Sequence, residues 1–184
     1  MESKAENKDT GEKVKIQPSD WKEGDAFVEL DTSYAFQSVL IKGTIDDGGD
    51  INDPIPLTEV NTATTNKVIE FLVHLRDNAP PDIEKPIKST DMEDLTTKFY
   101  ADYTNVDLET LYDITLAANF MDIKPLVDLC CAKIGTHIKG KSIPEVRQLF
   151  GIENDFTPEE EAMEFDESLL EEAENKKEEE EKKA

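Results

Sequence analysis

The chain has 184 residues, 37% of them apolar and 34% charged, with a formal net charge of -23. That length suits one domain with an appendage, on a prior of roughly 150 residues per domain, and much of the acid must lie in loops and tails. A surface this negative repels phosphate, and no basic cluster with interleaved aromatics reverses it locally, so neither nucleic acid nor anionic membrane is an expected partner.

Residues 1 to 12 are polar and read as disordered. The opening "MESKAENKDTGEK" has no apolar targeting region, and no later run approaches the roughly 20 apolar residues of a membrane span. A soluble, intracellular protein is expected. "VKIQPS" and "DAFVELD" read as two strands around a turn at Asp20 to Gly24, a hairpin. "TSYAFQSVLIK" reads as one short helix with Ala35, Phe36, Val39 and Leu40 on it, ended by Gly43. "DDGGDIND" is an acidic loop, and "PIPL" a brief extended segment because each proline restricts its neighbour.

From Thr64 to Leu75 one stripe carries Val68, Phe71, Leu72 and Leu75, a packed helix. "RDNAPPDIEKPIKSTD" breaks it with three prolines in a long connection. Helical spacing resumes at Leu95, Phe99 and Tyr100. The next helix begins at Asp107 as N-cap, with Leu108, Leu111, Tyr112 and Thr115 on one face and Leu116 alongside. Asp122 is expected to cap a further helix carrying Ile123, Leu126, Val127, Cys130, Ile134 and Ile138, with Pro125 tolerated in its first turn. "SIPEVRQLF" sets Ser142 and Glu145 as a capping box before Val146, Leu149 and Phe150. Thr157, Pro158 and Glu160 signal one more helix, with Ala162, Phe165, Leu169 and Ala173 on a narrow apolar stripe. The fold class is α+β.

Positive signs of catalysis are missing from this pattern. The glycines form no phosphate loop, and "DDGGDIND" lacks the spaced ligands of an EF-hand. His74, His137, Cys130 and Cys131 are zinc-type residues at the wrong spacing, since adjacent helical cysteines point roughly 100 degrees apart. Cys130 reads as core and Cys131 as a contact residue, and two adjacent cysteines make no disulfide framework. The histidines read as surface or boundary residues. No metal, cofactor or enzymatic activity is expected.

Three stretches, "DPIPLTEVNTATTNKVIEFLVHLRD", "LAANFMDIKPLVDL" and "IKGKSIPEVRQLFGIENDFTPEEEA", carry a resemblance. From Val14 to Ala162 the chain resembles the S-phase-kinase-associated (Skp) adaptors, which link F-box proteins to a cullin in Skp-cullin-F-box (SCF) ubiquitin ligases. The resemblance implies a BTB/POZ domain at 13–138, a helical F-box-binding extension at 139–170 and an acidic Glu/Lys tail at 171–184. It also implies a non-enzymatic cytoplasmic and nuclear subunit that bridges a cullin N-terminal domain to F-box receptors for ubiquitin-dependent degradation. Asn119 and Phe120 fall on the family's cullin-binding pair, although Phe120 read alone is more readily a core residue than an interface one. Val127, Cys131, Ile134, Phe150, Ile152 and Phe156 fall on its F-box surface.

Beyond Ala162 the chain departs from the family. It has no Trp where Leu170 stands, and Phe165, Leu169 and Leu170 are the expected substitutes for that ring. An alternative reading keeps the F-box surface and loses the cullin, making a chaperone or structural subunit. Weak self-association, which a BTB domain supports, stays open.

Overall fold

The structure, a computed structural model, describes residues 11–157. These residues divide into two compact units, with the boundary between Gly140 and Lys141.

In the first unit, Lys13–Pro18 forms β1, whose alternate residues Val14, Ile16 and Pro18 face the core, as the two-residue period of a strand requires. Val28–Asp31 (β2) pairs with it antiparallel, Val14 opposite Leu30 and Ile16 opposite Val28. The second strand of the hairpin thus begins three residues later than "DAFVELD" suggests. The residues between are held in a turn by Trp21, which stacks on Phe27 at 5.1 Å and donates from Nε1 to the Asp25 carbonyl. Ile55–Leu57 (β3) adds parallel to the other edge of β1, giving the order β2-β1-β3.

Two helices, not one, cross between β2 and β3. Thr32–Ala35 is α1 and Val39–Asp46 is α2, with Gly43 inside α2 rather than at its end. Ser38 divides them. Its Oγ accepts from the Ile41 N–H as the cap of α2 and donates to the Met121 carbonyl at 2.6 Å, a partner 83 residues away.

Thr62–Asp77 forms α3, capped by Asn61 Oδ1, which accepts from the Thr64 N–H at 2.9 Å. It buries Val68, Phe71 and Leu72, with Leu75 half-buried behind them. Residues 78–91 form no regular element, and a 3₁₀ turn at Met92–Asp94 leads into α4, Lys98–Tyr103. Phe71 packs between Tyr100 and Tyr103, and His74 lies half-buried on Phe99. The Tyr103 hydroxyl donates to the Lys67 carbonyl at 2.9 Å, and burial pushes its pKa up.

Leu108–Phe120 (α5) and Lys124–Ile138 (α6) complete the core with α3 and the sheet. The corner between them corrects the expected cap. Met121 and Ile123 are both fully buried, so Asp122 between them is turned out in the left-handed region at φ 49°, a conformation Asp tolerates better than most residues. Ile123 occupies the N-cap position and makes no side-chain capping bond, while Pro125 does lie in the first turn.

The described part of the second unit, residues 141–157, contains α7, Ile143–Phe150. Glu145 Oε2 accepts from the Ser142 N–H at 2.8 Å and from its hydroxyl at 2.7 Å, the expected capping interaction. Gly151, at φ 62°, ends the helix in the left-handed conformation, and the Ile152 N–H returns to the Arg147 carbonyl. The helix signalled at Thr157, with Phe165, Leu169 and Leu170, lies outside the described residues.

Candidate partner-binding surfaces

Two helix faces of the first unit present apolar side chains that the core covers only in part or leaves exposed. On α5 the buried residues are Leu111, Ile114, Ala117 and Ala118. This phase corrects the expected one: Tyr112 and Leu116 face outward, and Ile114 takes the inner position. Small alanines at 117 and 118 let the helix approach the core, so bulk is not needed on that side. Leu116 is 69% exposed and Tyr112 is 37% exposed. Asn119 is exposed and Phe120 half-buried, its ring partly packed on the core and partly presented.

Tyr112, Leu116 and Asn119 follow at spacings of four and three, a single stripe on α5 that Phe120 adjoins. Val39, 59% exposed, borders the end of this stripe, because its N–H points to the Asp122 carbonyl at 3.4 Å. Glu109 and Asp113 are exposed beside it, so an apolar strip is flanked by acid. Tyr112, Leu116 and Val39 were not among the expected site residues. The available signal was that Leu116 is a large apolar residue out of phase with 111, 114, 117 and 118.

On α6 the inner face holds Leu126, Leu129, Cys130, Ala132 and Thr136. Cys130 is a core thiol whose pKa burial pushes up to about 12. Val127, Cys131, Ile134 and Ile138 recur at four, three and four residues on a different stripe. Val127 and Ile134 are half-buried, while Cys131 and Ile138 are exposed. The structure therefore brings together the three α6 residues expected at the F-box surface and adds Ile138. In the second unit, Phe150 is half-buried, and Ile152 and Phe156 are exposed, with the Arg147 guanidinium 5.2 Å from the Phe156 ring centroid.

Among the described residues, no group of three His, Cys, Asp or Glu is placed to hold a metal, and no helix is long and apolar enough to cross a membrane. What the surfaces offer is contact area: apolar strips with polar edges on helices, the anatomy of protein interfaces.

A three-stranded sheet under a helical layer, with apolar strips left on its last two helices, defines a POZ-type interaction domain. Comparison with known families sharpens that class. Residues 12–77 match the Skp1 family tetramerisation domain, and residues 124–183 match the Skp1 family dimerisation domain. The chain is 42% identical over 137 residues to the S-phase kinase-associated protein 1 homolog of Tetrahymena thermophila, covering 74% of this chain and 82% of that protein. It is 42% identical over 154 residues to the Suppressor of kinetochore protein 1 of Schizosaccharomyces pombe, covering 81% and 91%. With the SCF ubiquitin ligase complex protein SKP1a of Dictyostelium discoideum it shares 37% identity over 148 residues, covering 80% and 88%. The chain belongs to the Skp1 family.

Proposed function

We propose that this chain is the adaptor subunit of an SCF-type ubiquitin ligase, with no catalysis of its own, holding a cullin on the α5 stripe and an F-box protein on the α6 stripe. The observation that carries the reading is the presence, on one domain of a family whose members include SCF subunits, of two separate apolar stripes that the core leaves partly uncovered. Each stripe has the composition of an interface centre, large apolar area beside a polar orienting group. Acid flanking the α5 stripe favours a cullin face rimmed by Lys and Arg, which would speed encounter and select orientation. Ubiquitination would then follow from proximity, the adaptor fixing the distance between a substrate receptor and a conjugating enzyme held elsewhere.

Val127, Cys131, Ile134 and Ile138 would receive the F-box helices on α6. Phe150, Ile152 and Phe156 of the second unit are proposed F-box contacts in their own right, as are Phe165, Leu169 and Leu170. We place the protein in the cytoplasm and nucleus. The test is co-purification of the full chain with an F-box segment and with a cullin N-terminal domain, alongside Asn119→Ala combined with Phe120→Ala. Loss of cullin but not of F-box binding in the double variant is the expected result. Equal cullin binding by both proteins would overturn the α5 assignment, and an F-box complex with no cullin binding by the wild type would favour a chaperone or structural role.

A further inference from the structure

The element-free connection after α3 is not a loose excursion. Its middle runs alongside α6. Lys85 pairs with Asp128 at 3.4 Å, Lys139 Nζ donates to the Ile87 carbonyl at 2.7 Å, and Ile83 packs on the core. At Gly135 the approach is close enough that an added Cβ would sit 2.5 Å from Ile87 Cδ1. The absence of a side chain there lets the connection lie against the helix.

Between this strap and the first half of α6 is a cavity of about 580 Å³. Its walls are largely apolar, formed by Leu75, Ile83, Pro86, Ile87, Leu129 and Ala132. The volume falls within the roughly 300–1,000 Å³ of binding clefts and gives room for more than one large side chain. Lys124 and Cys131 are also part of the lining. Among the described residues Lys124 has no ion-pair partner, whereas Lys85 and Asp128 satisfy each other.

The cavity and the α6 stripe share a border. At about 100° per residue, Lys124 and Asp128 lie on the helix face next to Val127, Cys131 and Ile134, and Cys131 belongs to both. A chain docked along the stripe would therefore meet the cavity without a gap.

We propose that the strap and α6 form a second compartment of the F-box site, a socket that takes large apolar side chains of the F-box partner next to an acidic residue facing Lys124. The proposal rests on the assignment of the α6 stripe to F-box proteins. The strap makes this a specificity device: partners with an apolar anchor and adjacent acid reach the socket, and partners without them use the stripe alone.

Hydrogen–deuterium exchange of the full chain, free and with a bound F-box segment of an SCF receptor, tests it. Amides of 82–88 and of 127–138 are both expected to slow on binding. Ala79→Trp, which fills the socket from its exposed rim, should weaken binding about tenfold, and Lys124→Glu several-fold, as loss of a buried anchor and of its neighbour's charge would. Both sites are exposed, so the thermal midpoint should not move. Protection of 127–138 with no change at 82–88, and wild-type affinity in both variants, would overturn the socket and leave the F-box assignment standing. No protection of 127–138 would overturn both.

Discussion

Leu116→Ala separates the proposed cullin surface from the core more cleanly than any change at Phe120, whose ring is partly packed inside. Full burial of a Leu side chain contributes about 1.5–3 kcal/mol. Leu116 is 69% exposed in the free chain, so about 1–2 kcal/mol remains to be gained when a partner covers it. That corresponds to a loss of roughly 5- to 30-fold in cullin affinity for the variant. An exposed position away from caps and packing changes stability by no more than about 0.5 kcal/mol, which moves the thermal midpoint by about 2 °C or less at this size. Titration calorimetry against a cullin N-terminal domain, with a thermal melt of the same samples, reads both quantities. Cullin affinity within twofold of wild type would refute the α5 assignment. A large fall in melting temperature would refute the outward placement of Leu116.

Three further outcomes follow from local chemistry. Asn61→Ala removes the bond that its side chain accepts from the Thr64 N–H at the start of α3 and should cost about 1 kcal/mol, read as a lower urea midpoint at unchanged slope. Bonds from the Thr110 hydroxyl and N–H hold the Asp107 carboxyl below its ordinary 3.8, so its charge stabilises the fold above that pH and the contribution is lost as pH falls through the depressed value. Wild type should therefore exceed Asp107→Asn in urea midpoint at pH 7 and lose that advantage below pH 3.8; a pH-independent difference would contradict this. A thiol reagent at pH 8 should modify Cys131 in the folded chain and reach Cys130 only after denaturation, since Cys130 is buried with its pKa near 12. Equal labelling of the two, followed by peptide mass mapping, would show the phase of α6 to be wrong.

Much of the fold was legible because its signals are local. Asp107 and the Ser142–Glu145 pair announce their helices within four residues, and alternation in β1 follows directly from Val14, Ile16 and Pro18. Elements set by distant partners were not legible. Ser38 caps α2 through the Ile41 N–H and is also fixed by its bond to the Met121 carbonyl, and nothing near Ser38 reports that second partner. Asp122 looked like a cap because capping chemistry was all the sequence displayed; the burial of Met121 and Ile123 on either side makes it a corner instead.

The candidate surfaces divide in the same way. Asn119 and Phe120 came from a resemblance, as did Val127, Cys131 and Ile134 on α6, whose spacing alone did not part them from the inward Leu126 and Cys130. The outward turn of Tyr112 and Leu116 depends on which side of α5 the core chooses, and burial of Ile114, Ala117 and Ala118 rotates that side away from the one that hydrophobicity alone would pick, with Leu111 common to both. The strap over α6 was invisible, since three prolines read as a break and not as a wall.

As the proposed adaptor, one chain holds both partners at once. Mixing the full chain with an F-box segment and a cullin N-terminal domain, and weighing the product by light scattering after gel filtration, tests it directly. The expected product is one peak with the mass of a 1:1:1 complex that also forms when either partner is added last. A folded chain that binds neither partner, or in which each displaces the other, would contradict it.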